Sequence, residues 1–355
     1  MEIRACVVRA PNWVGDAVMS LGGLRELRRI VGGARLAVAA RPWVAAIYEE
    51  TGIVDEVIPL DRRSWRDALS HASAIRRGGY DVAVLFQNAF EAAFVARLAR
   101  VPRIAGYPTE RRGVLLTDEV PLPENHRAEH QSRYYMNVVA GVERALDGSD
   151  TVRPDQADCS LAPRAETLAL GRQRLETEGV GQSDSFVCIN PGATNSRAKQ
   201  WLPDRFAAAA ESIAESTGSR IAVIGSAAES GVAAAVIAAL SDSRRAVNLA
   251  GKTSLRELIG VLGSSKALVS NDTGPAHLAA AIGLPTVTVF GPTEAFATRP
   301  LGPRALVVSH PVDCAPCMLR DCPIDHRCMT GVTVEAVAAA ATGAILIGSG
   351  GGRKT

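Results

Sequence analysis

The sequence predicts an α/β protein of two doubly wound, parallel-sheet domains in tandem. Three observations predict it. Buried strand-like runs alternate with helical runs in two consecutive blocks, an apolar run restarts the pattern at Phe186-Val-Cys-Ile-Asn190, and a Gly/Asp/Pro-rich stretch separates the blocks. Strands alternating with helices imply parallel sheets joined by right-handed crossovers. A chain of 355 residues accommodates two domains more readily than one.

In the first block, Ala5–Arg9 reads as a buried strand, 17–31 as a helix, Arg35–Ala40 as a strand, 65–77 as a helix and Val82–Leu85 as a strand. The second block opens with the strand Phe186–Asn190. It continues through a helix over 204–216, a strand over 220–224, a helix over 231–240 and a crossover over 269–291 that reads as strand, polar glycine turn, helix, turn and strand. Between the blocks, residues 147–185 hold the Gly/Asp/Pro-rich stretch and a charged helix near 165–178. The expected organisation is an N-terminal domain over 1–165, a linker over 166–185, a C-terminal domain over 186–347 and a disordered Gly-rich tail over 348–355. The helix after Thr333 is a candidate to return to the first domain.

Composition excludes several classes. A net charge of +2 with 21% charged residues makes no general electrostatic case for nucleic acid. The N-terminus has no basic start followed by an apolar stretch, and the longest apolar run, near 336–347, is too short to span a bilayer; a soluble cytoplasmic protein is expected. Seven cysteines without an export signal do not suggest a disulfide framework. There is no G-x-G-x-x-G fingerprint and no Walker A sequence, so dinucleotide and P-loop readings are weak. Of 39 basic residues only Lys199, Lys252, Lys266 and Lys354 are lysine. Lys199, in a polar loop beside Trp201, is read either as a solvated lysine or as a compact ammonium that approaches a phosphate or sugar. Lys266 is read as a surface lysine.

Two such domains place a cleft at the C-terminal ends of their strands, where open α/β folds bind ligands. Each domain offers loops to it. Asn271, Asp272 and Thr273 fall at a strand end, and Gly274 turns the chain into a helix whose unpaired first N–H groups suit an anion such as a diphosphate, with His277 one turn inside. The alternative for Asp272-Thr273 is a simple helix cap. Asn190-Pro-Gly-Ala-Thr194, running on to Lys199, follows the first strand of its block, and Gly225-Ser-Ala-Ala-Glu229 follows the second. Glu229 suits the two hydroxyls of a ribose, or is an ordinary helix-start glutamate. The first domain contributes Pro11-Asn-Trp-Val-Gly-Asp16; Asp16 either faces the cleft or simply complements the helix dipole.

These segments, with Ala198-Lys-Gln-Trp201 and Asn248-Leu-Ala-Gly251, together resemble the ADP-heptose:lipopolysaccharide heptosyltransferases, in order over about residues 3–340. The Pro-x-Trp-Val-Gly-Asp form is most similar to the members that add the second inner-core heptose. The resemblance implies a GT-B fold, acceptor on the N-terminal domain, nucleotide sugar on the C-terminal one, and inversion at the anomeric carbon without an obligatory metal or other cofactor. It implies that Asp16 is the catalytic base, that Lys199 contacts the donor's phosphate or sugar, that Thr194 binds the diphosphate and Glu229 the ribose, and that Asp272, Thr273, Gly274 and His277 hold the heptose and diphosphate. The implied partners are ADP-heptose and a heptosyl-Kdo-lipid A acceptor, met peripherally at the inner face of the inner membrane. Asn12 and Trp13 in the Asp16 loop are acceptor candidates. So are Arg97, Arg100 and Arg103, from a basic stretch that includes Arg111 and Arg112 and is read either as meeting an anionic acceptor or as solvated surface.

One segment stands outside this reading. Cys314-Ala-Pro-Cys317-Met-Leu-Arg-Asp-Cys322-Pro-Ile-Asp-His326-Arg-Cys328 has a spacing that permits a zinc site or a small cluster. A metal-free structural or redox-prone loop is the preferred reading. Alternatives to the transferase reading are a related enzyme with a different acceptor, a nucleotide-sugar-binding protein that would not need Asp16, and a metal-dependent regulator centred on the cysteines.

Overall fold

The computed structural model describes residues 3–61, 67–194 and 196–349. It divides into two compact units, Met1–Ser160 and Leu161–Thr355. Trp65 and the tail from residue 350 lie outside the described residues.

In the first unit, β1 (Ala5–Arg9), β2 (Arg35–Ala40), β3 (Glu56–Pro59), β4 (Val82–Leu85), β5 (Arg103–Gly106) and β6 (Asp118–Glu119) form one sheet in the order β3-β2-β1-β4-β5-β6. Every pairing is parallel. All five residues of β1 are buried, as a central strand covered on both faces requires. The crossovers include α1 (Val14–Met19), α2 (Leu21–Val31), α3 (Pro42–Glu50), α4 (Asp67–Gly78), α5 (Phe90–Leu98) and α6 (Gln131–Asp147). The helix expected over 17–31 is thus two helices. They break at Ser20, whose hydroxyl donates to the Ala17 carbonyl (2.7 Å) and meets Tyr48 Oη at 3.2 Å. Leu21, Leu24, Leu27 and Val31 then form the buried stripe of α2, which packs on α6.

The second unit begins before the strand at Phe186. α7 (Ala165–Thr177) docks on α10 (Leu255–Gly263) with backbones nearly touching: a Cβ on Gly171 would lie 2.2 Å from the Gly260 carbonyl carbon. The expected linker over 166–185 is therefore part of this unit, and the first unit ends at Ser160 rather than 165. Sequence pattern hides this packing because the buried face of α7 is made of Thr167, Gly171 and Leu175, small or single apolar positions among charged ones.

Its sheet repeats the first topology. β7 (Phe186–Asn190), β8 (Arg220–Val223), β9 (Ala246–Asn248), β10 (Leu268–Asn271), β11 (Thr286–Phe290) and β12 (Ala305–Ser309) run β12-β11-β10-β7-β8-β9, all parallel. Helices α8 (Pro203–Thr217), α9 (Ser230–Ala238), α11 (Gly274–Ala281), α12 (Ala295–Thr298), α13 (Arg327–Thr330) and α14 (Val334–Ser349) complete it. α14 buries Val337, Ala338, Ala341 and Ala344 and packs on α8, β10, β11 and β12, so it belongs to the second unit. In each unit the strand order reverses beside the central strand, between β1 and β4 and between β7 and β10. Loops leaving such a point cannot cross on the same side and splay apart, opening a crevice at the strands' C-terminal ends.

Candidate active site

On the second unit the crevice between β7 and β10 is lined by loops that the sequence singled out. Asn271, fully buried at the end of β10, donates from Nδ2 to the Pro191 carbonyl (2.8 Å) and accepts from the Trp201 N–H (3.0 Å). One amide side chain thereby fixes the 191–201 loop to the neighbouring strand. Asn190 Nδ2 donates to Thr273 Oγ1 (2.7 Å) and to Ser270 Oγ (2.9 Å). Thr273 stands at the N-cap of α11, yet its side chain makes no capping bond there. His277 is buried in the first turn and a half of that helix, whose start is the positive end of its dipole.

Lys199 meets Asp272 in this crevice: Nζ to Oδ2 is 2.7 Å, and Thr293 Oγ1 donates to the same oxygen at 2.8 Å. Asp272 is almost wholly buried, so its charge is neutralised locally and does not repel an anion; it aims the ammonium. Glu229 uses both oxygens. Oε2 accepts from the Ser226 N–H and hydroxyl (2.8 Å each), closing a capping box, and Oε1 accepts from Thr194 Oγ1 at 3.0 Å. Glu229 is therefore a helix-start glutamate and a wall of the 192–194 loop at once. The fit requires glycine at 192, where a Cβ would lie 2.2 Å from Glu229 Cδ.

On the first unit, the loop after β1 carries Asn12, the exposed Trp13 and Asp16, which enters the first turn of α1. Asp16 is half-buried, and Tyr135 Oη, from α6, donates to its Oδ1 at 3.1 Å. Burial raises the Asp16 pKa above the ordinary aspartate value while the tyrosine bond pulls it down. Asn12 is held by Arg9 Nη2 (2.9 Å to Oδ1) and by Trp43 Nε1 (2.7 Å to its carbonyl).

Arg97, Arg100 and Arg103 are not brought to this loop. Arg103 opens β5 and pairs with Val82 at the start of β4, Arg97 lies in the last turn of α5 and Arg100 in the turn that leads on to β5, so all three lie at the opposite end of the sheet from Asp16. Arg103 is moreover engaged with Asp118 (2.6 Å) and the Ala145 carbonyl (2.7 Å). The arginines at the ligand end are others. Arg9 and Arg41, at the ends of β1 and β2, are buried and line a cavity of about 90 Å³ with Asn12, His71, Gln87 and Glu91. Burial and the proximity of Arg41 push the Arg9 pKa down to about 10. Arg112 is fully buried and binds the Tyr107 carbonyl (2.8 Å) and Asn88 Oδ1 (3.0 Å), holding the loop after β4 from behind. A strand-terminal position was a signal for Arg9 and Arg41; nothing local marked Tyr135 or Thr293.

The cysteine segment folds against the loops after β7 and β11. All seven cysteines are free thiols; Cys314 and Cys317 are exposed, Cys322 half-buried and Cys328 buried. Among the described residues, no three His, Cys, Asp or Glu side chains are gathered closely enough to hold a metal ion.

Two six-stranded parallel units of this topology have the GT-B architecture found among glycosyltransferases. The sequence profile of glycosyltransferase family 9 (heptosyltransferase) matches residues 68–327, and the chain belongs to that family. It is 29% identical over 313 residues to lipopolysaccharide heptosyltransferase 2 of Salmonella typhimurium, covering 85% of this chain and 87% of that one. It is 27% identical over 314 residues to lipooligosaccharide heptosyltransferase 2 of Haemophilus ducreyi, with the same coverage. The structure of E. coli ADP-heptose LPS heptosyltransferase II superposes with a TM-score of 0.80 at 23% identity, over 97% of this chain and 99% of that one.

Proposed function

We propose that this protein transfers heptose from ADP-heptose (ADP-L-glycero-D-manno-heptose) to the first heptose of the lipopolysaccharide inner core, with inversion and with Asp16 as general base. The observation that carries this reading is Asp16 itself, a partly desolvated carboxylate oriented by Tyr135 at the C-terminal end of β1. A raised pKa improves a carboxylate as a base. It takes the proton of the acceptor hydroxyl as that oxygen attacks the anomeric carbon; the C–O bond to ADP breaks and the electron pair leaves on the diphosphate. Lys199, Thr194 and the start of α11 stabilise the growing negative charge on the diphosphate, with Glu229 on the ribose. The step needs no metal ion.

Arg9 and Arg41 replace Arg97, Arg100 and Arg103 as the basic groups suited to an anionic acceptor, since they stand at the same end of the sheet as Asp16. No helix among the described residues is long and apolar enough to cross a membrane; a cytoplasmic enzyme that meets its lipid acceptor peripherally accords with that. The names of the relatives favour the second heptose as the product. Incubation with ADP-heptose and heptosyl-Kdo-lipid A, followed by mass analysis, tests the reading: one added heptose supports it, and addition only to an acceptor lacking the first heptose redirects it to another member of the family.

A further inference from the structure

The segment from Cys314 to Cys328 grips the Lys199 turn at several points. The Ala198 N–H donates to the Arg320 carbonyl (2.9 Å), Ser196 Oγ donates to the Leu319 carbonyl (3.2 Å), and Arg197 Nε lies 2.7 Å from Asp321 Oδ1. His326 Nε2 stands 2.6 Å from the Ala198 carbonyl; a carbonyl only accepts, so Nε2 carries the proton and donates it. The same segment reaches the other donor-side loop. The N–H groups of Cys317 and Met318 both donate to the Pro292 carbonyl (3.0 and 2.9 Å), and the next residue, Thr293, bonds Asp272. His326 is held in the left-handed region at φ 57°, with its own N–H donating to Cys322 Sγ at 3.3 Å. Histidine is among the non-glycine residues that enter this region most readily, and here the ring reaches the Lys199 turn.

We infer that the Cys314–Cys328 segment is a brace for the donor half of the site and that His326 is a positioning residue, setting Lys199 through the Ala198 carbonyl. The inference rests on the donor role proposed for Lys199. Lys199 approaches its target as a point charge on a flexible stem, so its contribution depends on where the backbone places it. The brace fixes both sides of the ammonium: the turn that carries Lys199, and the Thr293 loop that helps hold its partner Asp272. This gives the segment a purpose that requires neither a metal nor a disulfide.

The test compares the full-length protein with its His326→Ala and His326→Gln variants, the latter retaining an amide N–H at about the reach of Nε2. ADP binding by calorimetry, donor KM and kcat, acceptor KM and the melting temperature are measured. The Ala variant is expected to bind ADP about three- to tenfold more weakly and to raise the donor KM similarly, as befits partial loss of one charged contact, with acceptor KM unchanged. His326→Gln should recover most of the loss. In a Lys199→Ala background the His326→Ala change should add little, because the group it positions is already gone. Unchanged ADP affinity in His326→Ala, equal losses in the Ala and Gln variants, or full additivity with Lys199→Ala would each overturn the inference. Unaltered protein that binds ADP but transfers no heptose sinks the proposed reaction and leaves this test standing; failure to bind ADP at all overturns both.

Discussion

Tyr135 donates a hydrogen bond of 3.1 Å to Asp16, joining the second turn of α6 to the first turn of α1 at the C-terminal edge of the first sheet. Tyr135 is buried, and its phenol is pushed well above the ordinary tyrosine pKa, first by burial and then by the Asp16 charge, so it acts there as a neutral donor. One Asp16 oxygen is thereby engaged, and in the proposed reaction the other accepts the substrate proton.

Replacing Asp16 with Asn keeps size and polarity but removes the proton acceptor. The transfer rate is expected to fall by about two to four orders of magnitude, the range usual for a general base, with ADP affinity nearly unchanged. Single-turnover transfer alongside calorimetric ADP titration checks this. Near-native transfer by Asp16→Asn would assign the deprotonation to another group.

In the role proposed for Asp16 the carboxylate works ionised, so transfer should rise with pH through the Asp16 pKa, on an acid limb above the usual value of about 3.9. Tyr135→Phe removes the bond that lowers this pKa and should move the limb to higher pH. A kcat/KM profile of both proteins decides it; coincident limbs would show that Tyr135 does not tune Asp16. The same shift bears on stability. A carboxyl whose folded pKa is raised contributes stability below its unfolded pKa and loses it as pH rises through the folded value. Asp16→Asn should therefore melt above the unaltered protein at about pH 7 to 8 and show no advantage at about pH 3.

Lys199→Ala and Glu229→Ala should each weaken donor use, the first through the lost charge near the diphosphate. Glu229→Ala also opens the capping box with Ser226, a loss of about 0.3–1.5 kcal/mol of stability. ADP titration and urea unfolding separate the two effects. If neither substitution alters ADP affinity or turnover, the donor does not sit on these loops.

Glu143 provides a stability test away from the site. Its carboxylate is buried, which by itself raises the pKa, but hydrogen bonds from the Thr151 hydroxyl and from the N–H groups of Val152 (3.0 Å) and Thr151 (2.7 Å), with Arg29 at 3.3 Å, bring it to about 2. The depressed pKa means stability that is complete above the unfolded value of about 4.3 and lost as pH falls through about 2. Glu143→Gln should lower unfolding free energy by about 1–3 kcal/mol at neutral pH, a gap that narrows on acidification. Denaturant melts across that window would expose a constant gap if the account is wrong.

Transfer is expected to survive chelators and reducing agent, because a carboxylate base and a helix-supported diphosphate complete the step. Activity that falls with stoichiometric loss of zinc, in protein that remains folded, would reinstate the cysteines as a metal centre.

The sequence by itself determined the alternation of strands and helices, several strands to the residue, among them Ala5–Arg9 and Phe186–Asn190, and the loops that carry Asp16, Thr194, Lys199, Glu229 and Asp272. These are local: a buried parallel strand is a continuous apolar run, and a polar Gly/Asn/Asp turn after it marks the ligand end. Tertiary structure alone decided the rest. α7 joined the second unit through the contact of Gly171 with Gly260, which leaves no hydrophobic signature. Arg97, Arg100 and Arg103 cluster along the chain, yet parallel pairing sends them to the end of the sheet away from Asp16, while Arg9 and Arg41, distant in sequence, meet at its ligand end. Tyr135 beside Asp16, and His326 beneath the Lys199 turn, are likewise pairings between remote segments, and composition and periodicity record which face a residue buries, not which partner awaits it there.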